Sequence, residues 1–246
     1  MPQTAVITGA AKGIGQVLAK AFLQADFNVL MTDADDQALA GARDELAHYN
    51  RVQTQVLDVR NKNDFEQALN VAQEHFGAAQ VLINNAAITP TTPVLEITPE
   101  EFSQVLDINL RGCFLGCQVF GAYFAQQNQG RIINMASLAG QMGGTASGAH
   151  YASSKAGIIT LTKIFARQFA GRGVTVNAVA PGPVLVDSIT EKVPPEKLAE
   201  IIDTMIPVKQ MSDPRLIADM ALLLASDQAA TVTGATWDAN GGIFMR

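Results

Sequence analysis

The chain has little with which to cross-link itself or to hold a metal. Two cysteines and three histidines occur in 246 residues. Cys113 and Cys117 lie one helical turn apart in an apolar stretch with no histidine at ligand spacing, so they read as buried thiols. His48, His75 and His150 are scattered, and no metal site is expected. Positive charge is not in excess either. The formal net charge of −6 argues against generic binding to nucleic acid or to an anionic membrane. No uninterrupted apolar run reaches the length of a membrane span. Strand-like TAVITG begins at Thr4 and leaves no room for a signal peptide, so the expected compartment is the cytoplasm. Charged residues make up 16% of the chain and apolar ones 48%, the balance of an ordered globular protein.

Linkers, repeats and low-complexity segments are also missing, and the length suits a single domain, 1–246. What is present is alternation. Strand-like runs at 4–9, 28–33, 52–59, 80–86, 131–137, 174–180 and 235–240 are separated by amphipathic segments at about 13–25, 35–48, 62–76, 98–127, 151–171 and 213–226. Nearly continuous apolar strands between helices predict an α/β fold, a doubly wound, mainly parallel seven-stranded sheet with helices on both faces. Two helical segments, Phe114 to Phe124 and the one after Tyr151, are apolar almost all round. A sheet covers one side of such a helix, so a second copy of the chain is expected on the other. A homo-oligomer follows, with a tetramer favoured.

The stretch TGAAKGIG runs from the end of the first strand into a helix. Gly9, Gly13 and Gly15 permit a tight turn and close approach of backbone to a ligand, and the helix start offers free N–H groups to a pyrophosphate. Lys12 and Ile14 belong to the same cradle. Asp33 ends the second strand, where a carboxylate can accept bonds from both adenosine ribose hydroxyls. The same charge repels a 2′-phosphate, so NAD is expected over NADP, although Lys12 pulls the other way.

Later motifs join this loop. NNAA occupies 84–87, Asn109 lies in DINLRG, Ser137 ends INMAS, Tyr151 and Lys155 lie four residues apart on one helical face, and PG follows at 181–182. In order and spacing this series resembles the short-chain dehydrogenase/reductase family, over essentially the whole chain. The resemblance implies a Rossmann fold and an enzyme that moves hydride between a nicotinamide cofactor and a carbonyl. It implies that Tyr151 is the general acid/base and that Lys155 stabilises the tyrosinate and holds the nicotinamide ribose. Ser137 would hydrogen-bond the substrate oxygen, and Asn109 would bind a water linking Lys155 to solvent. It further implies that Asp58 and Val59 flank the adenine, that the backbone of Asn85, Ala86 and Ala87 lines the cofactor, and that Pro181 and Val184 border the nicotinamide. Three departures stand out. Ala87 replaces the family's usual glycine, and Val186 replaces a threonine that bonds the carboxamide, which leaves Ser188 as the nearby hydroxyl for that part. The gap between Ser137 and Tyr151 is also one residue longer than is common.

Specificity in such a fold comes from loops at the carboxyl ends of the strands, here 88–97, 138–150 and a mainly apolar lid at about 183–212. No cationic cluster marks a strongly anionic substrate. The expected reaction is therefore NAD(H)-dependent interconversion of a small secondary alcohol and its ketone. The alternative is the NADPH-dependent 3-oxoacyl carrier-protein reductase branch, which docks an acidic carrier through basic residues. Arg172 stands at one such position, but the other holds uncharged Asn128. A non-catalytic NAD sensor is a remote third reading, since no catalytic residue is missing.

Overall fold

The computed structural model describes residues 2–144, 148–186 and 194–245. Seven strands form one sheet: β1 (Thr4–Thr8), β2 (Asn28–Asp33), β3 (Val52–Val56), β4 (Val81–Asn84), β5 (Gly130–Met135), β6 (Val174–Pro181) and β7 (Thr236–Ala239). Their order is β3-β2-β1-β4-β5-β6-β7, and every pairing is parallel, not merely most of them.

Side chains alternate across this sheet because successive residues of a strand point to opposite faces. Ala5 and Ile7 of β1 enter one core layer with helices α1 (Gly13–Gln24), α2 (Asp36–Glu45) and α9 (Pro214–Ala225). Val6 enters the other with α3 (Lys62–Phe76), α5 (Gly112–Gln127) and α7 (Ala149–Phe169). Phe22 fills the first layer, and Phe65, Phe120 and Phe124 fill the second, all fully buried. Each such ring contributes about 1.5–3 kcal/mol by leaving water. Cys113 and Cys117 are free thiols in the second layer, and burial pushes the Cys117 thiol up.

Two expected elements changed. The segment 98–127 is not one helix. It is α4 (Pro99–Leu106), a π-helical turn (Asp107–Arg111) and α5. The wide turn carries Asn109 into the interior, and such turns recur where function needs a side chain re-aimed. Strand β3 stops at Val56 and not at Val59, because its partner β2 ends at Asp33, which is in register with Val56. Two short helices were not foreseen: α6 (Ala139–Met142) and α8 (Pro195–Met205), the latter inside 183–212. Ser188, Ile189 and Val193 of that segment lie outside the described residues, as does part of the Ser137–Tyr151 insertion.

The fold leaves one natural crevice. β1 pairs with β2 on one side and with β4 on the other, so the winding reverses there and the strand ends open between β1 and β4. Helices α2, α3, α4 and α9 start with an Asp, Asn or Thr side chain accepting a backbone N–H. Helices α1 and α7 have no capping side chain at their N-cap residue, and both begin at this end of the sheet.

Candidate active site

The glycine loop sits at the mouth of the crevice. A Cβ on Gly9 would lie 2.7 Å from Ala86 Cα, and one on Gly15 would lie 2.0 Å from the Gly9 carbonyl oxygen. A Cβ on Gly13 would meet nothing within 4 Å, so its side opens onto free space at the start of α1. Gly9 and Gly13 also have positive φ, 65° and 58°. An uncapped helix end behind a cradle that a side chain would fill fits a pyrophosphate. Lys12 is exposed and Ile14 partly buried beside it.

Asp33 is fastened to this loop. Its Oδ2 accepts the Ala11 N–H at 3.2 Å and its Oδ1 the Asp35 N–H at 3.2 Å, which holds the carboxylate at the end of β2. Asn85 is a staple and not a ligand by its side chain. Its Nδ2 donates to the carbonyls of Thr8 and Gly9, both at 3.0 Å, while the Thr8 hydroxyl accepts the N–H groups of Asn85 and Ala86 at 3.0 and 3.1 Å. Ala87 is exposed and has no positive φ, so alanine fits where the family has glycine. Asp58 is chelated by Arg60 through contacts of 2.5 to 3.0 Å, which holds its carboxyl below the usual range. The Val59 side chain is committed to the core, since a Cβ on Gly112 would lie 2.8 Å from it. Val184 is likewise buried in the core and bridged to Ser212, so only its backbone remains for a ligand. Pro181 ends β6, and its carbonyl accepts the Leu138 N–H at 2.9 Å, which joins the Ser137 loop to the PG turn.

Strand β5 and helix α7 bring the remaining residues together. Lys155 is 3% exposed. Its Nζ donates to the Met135 carbonyl at 2.6 Å and lies 5.6 Å from the centre of the Tyr151 ring. That bond spends one of three ammonium protons and leaves two for other acceptors. Ser137 Oγ accepts the Ala139 N–H at 3.1 Å, and among the described residues no acceptor takes its own proton. Asn109 faces inward with its side chain engaged: Oδ1 accepts the Ile88 N–H at 2.9 Å, and Nδ2 donates to the Ile88 carbonyl at 3.0 Å and to Ser154 Oγ at 3.1 Å. Ser154 in turn donates to the Tyr151 carbonyl at 2.7 Å. Asn109 thus ties the chain after β4 to the first turn of α7. Ile88, Met135 and Ser154 escaped the sequence reading because two of them act through backbone atoms and serine is unremarkable in a helix. Arg172 is not brought to this site. It precedes β6 at its amino end, one strand length or about 25 Å from the carboxyl ends, and Asn128 precedes β5 in the same way.

A short-chain dehydrogenase family model described as Enoyl-(Acyl carrier protein) reductase matches residues 9–243. This chain belongs to the short-chain dehydrogenase/reductase family. Its members are oxidoreductases that bind a nicotinamide cofactor. Relatives named 3-oxoacyl-(acyl-carrier-protein) reductase span nearly the whole chain. That of Vibrio cholerae is 35% identical over 243 residues, covering 99% of this chain and 98% of its own. That of Synechocystis is 35% identical over 246 residues, at 99% and 97% coverage. Among solved structures, one from Agrobacterium tumefaciens, described as a "putative gluconate dehydrogenase", superposes with a TM-score of 0.91 at 25% identity, covering 98% of this chain and 95% of that one. A short-chain dehydrogenase from Bacillus anthracis gives 0.89 at 29% identity, covering 99% and 97%. The named relatives weigh toward the carrier-protein reductase branch, and against the secondary-alcohol reading expected from the lack of a cationic cluster. Among the described residues no helix is long and apolar enough to cross a membrane, and no cluster of metal-ligating side chains occurs.

Proposed function

We propose that the protein reduces the 3-oxo group of a 3-oxoacyl thioester to a 3-hydroxyl, with NADH as the electron donor. The observation that carries the substrate class is the full-length similarity to relatives bearing that activity's name. The cofactor reading rests on Asp33, whose carboxylate is pinned at the loop mouth where a 2′-phosphate would have to sit.

The chain's residues divide the work as follows. Gly9, Lys12, Gly13, Ile14 and Gly15 cradle the pyrophosphate, and Asp33 takes the adenosine ribose. Asp58, Val59 and the backbone of Asn85, Ala86 and Ala87 border the adenine side, while Pro181 and the backbone of Val184 border the nicotinamide side. When bound, the reduced nicotinamide supplies a hydride to the carbonyl carbon. Tyr151 gives its phenolic proton to the oxygen on which charge builds. Ser137, whose hydroxyl proton is uncommitted among the described residues, donates to that same oxygen. Lys155 places a fixed positive charge beside the phenol and stabilises the tyrosinate left behind. Asn109 holds Ser154, and through it the turn that presents Tyr151.

Two broader assignments accompany this reading. Helix α8, with the described residues that flank it within 183–212, forms the substrate-side lid, and exchanging it should change KM for the acyl chain. The outer face of α4, α5 and α7, a cleft of about 570 Å³ lined by Leu106, Leu110, Phe114 and Leu161, seats a second copy of the chain. Light scattering on the purified protein checks the latter.

NAD-linked oxidation of a secondary alcohol is the second reading, favoured by Asp33 and by the absence of a basic residue at 128. The deciding test follows reduced nicotinamide with NADH or NADPH and acetoacetyl-CoA, then with NAD and a panel of secondary alcohols, using Tyr151→Phe as blank. NADH-driven reduction lost in the variant supports the proposal. Alcohol oxidation without thioester reduction replaces it, and retained turnover in Tyr151→Phe refutes the acid assignment.

A further inference from the structure

The helix that carries Tyr151 begins without a conventional cap. Its N-cap residue, Gly148, has no side chain to offer, yet the Tyr151 N–H, third in the helix, is not left bare. It donates to Nδ1 of His150 at 2.9 Å. The ring occupies the space a capping side chain would need, since a Cβ on Gly148 would lie 2.2 Å from His150 Cε1 and 2.6 Å from Nδ1. Glycine at 148 and histidine at 150 are therefore one device.

The same ring is held at its far side. A backbone N–H can only donate, so Nδ1 must be the acceptor and Nε2 must carry the proton. Nε2 then donates to Glu101 Oε1 at 3.1 Å, and the Thr92 hydroxyl donates to that same oxygen at 2.6 Å. Thr92 lies in the 88–97 loop and Glu101 in the first turn of α4. The loop is also tied back by the Gly148 N–H donating to the Pro90 carbonyl at 3.1 Å. His150 is 0% exposed and both ring nitrogens are used. Any buried ring must satisfy both nitrogens; this one does so with the backbone of Tyr151 on one side and with Glu101, which also holds Thr92 of the substrate-side loop, on the other.

We propose that His150 is a positioning residue. Through Nδ1 it sets the backbone of Tyr151, and through Nε2, Glu101 and Thr92 it locks the substrate-side loop to the helix bearing the acid. This rests on Tyr151 being the proton donor. Two roles on two nitrogens make the inference separable. In His150→Asn the side-chain oxygen falls near the Nδ1 position and can still accept the Tyr151 N–H, but residue 150 no longer reaches Glu101. In His150→Gln an amide N–H falls near the Nε2 position and can still reach Glu101, but the acceptor for Tyr151 is lost.

The test measures NADH binding by fluorescence, then kcat and KM for acetoacetyl-CoA per NADH-binding site. His150→Asn should keep kcat within about threefold while KM rises about fivefold or more. His150→Gln should keep KM within about threefold while kcat falls about tenfold or more. Glu101→Ala, which removes only the far contact, should follow His150→Asn. Equal losses in both His150 variants, no loss in either, or a kcat loss in Glu101→Ala matching that of His150→Gln would each overturn the inference. Tyr151→Phe is run alongside. If it is inactive while the His150 variants show no split, only the positioning role fails. If it turns over, the catalytic reading fails first.

Discussion

Alanine at two positions of the glycine loop should fail in two different ways. At Gly15 the new Cβ would lie 2.0 Å from the Gly9 carbonyl oxygen and 2.6 Å from Asn85 Nδ2, where ordinary contact begins at 3.4 Å. The start of α1 or the Gly9 peptide must move by about 1.4 Å, and neither is a flexible side-chain end. Overpacking of this kind costs about 1–3 kcal/mol, and backbone on the far side puts the cost at the upper end. For a chain of this size each kcal/mol lowers the melting temperature by about 2–4 °C, so Gly15→Ala should melt about 6–12 °C early. At Gly13 the new Cβ meets nothing within 4 Å, and the cost is only the left-handed conformation, with φ of 58°. That amounts to about 1–2 kcal/mol. On the proposed cradle, however, that open space is where the pyrophosphate lies against the start of α1, so the methyl should raise the NADH dissociation constant about tenfold or more. Thermal melts without cofactor, followed by NADH titration, read both effects. Wild-type NADH affinity in Gly13→Ala would refute the pyrophosphate cradle. A melting point for Gly15→Ala no lower than for Gly13→Ala would refute the packing argument.

Asp33→Asn keeps an oxygen to accept the Ala11 N–H but removes the charge. Losing a charged for a neutral hydrogen bond, plus relief of repulsion at a half-exposed site, sums to about 3 kcal/mol. The ratio of kcat/KM for NADH over NADPH should therefore fall about a hundredfold, and an unchanged ratio would show that Asp33 does not select the cofactor. Glu101 offers a pH test. The Thr92 hydroxyl, and then His150, hold its carboxyl below the ordinary 4.5. A carboxyl depressed on folding stabilises the native state fully above its unfolded value and loses that contribution as pH falls through its folded value. Glu101→Gln should thus lose less melting temperature than wild type on going from about pH 5 to about pH 3. Parallel slopes would mean the carboxylate makes no such contribution.

Where the chain carries its own punctuation, sequence and structure coincide. Helix α3 is bounded as expected at 62 and 76, because Asn61 caps one end and Gly77, with φ of 85°, closes the other. Strand β2 matches at both ends, a buried run from Asn28 to Thr32 closed by Asp33. The failures share a cause: they depend on partners that sequence does not display. β3 looked longer because Leu57 and Val59 continue its pattern, but the neighbouring strand had ended. The π-helical turn was invisible because the apolar residues of 98–127 run on without a break. Tyr151, Lys155, Ser137 and Asn109 stood out as candidates through joint spacing, whereas His150 did not. Its meaning lies in Gly148, Glu101 and Thr92, which are up to 58 residues away. Val59 and Val184 were legible as positions but not as contacts, since their side chains turned out to serve the core.

The π-helical turn between α4 and α5 also governs how the gene can be edited. Each residue of an α-helix turns the chain by about 100°, so one extra residue in a wide turn works as a phase shifter between two rods that are otherwise continuous. Downstream of it, Cys117 and Phe120 point into the core; upstream, Glu101 points at His150. Deleting a single residue between 107 and 111 would leave both helices intact and equally apolar. It would nevertheless dial Glu101 a quarter-turn or more away from α7 and pull Asn109 from its contacts with Ile88 and Ser154. Flexible surface loops in general tolerate a change of length at small cost. These five residues are a counted spacer, and the count is what keeps the two ends of the site in phase.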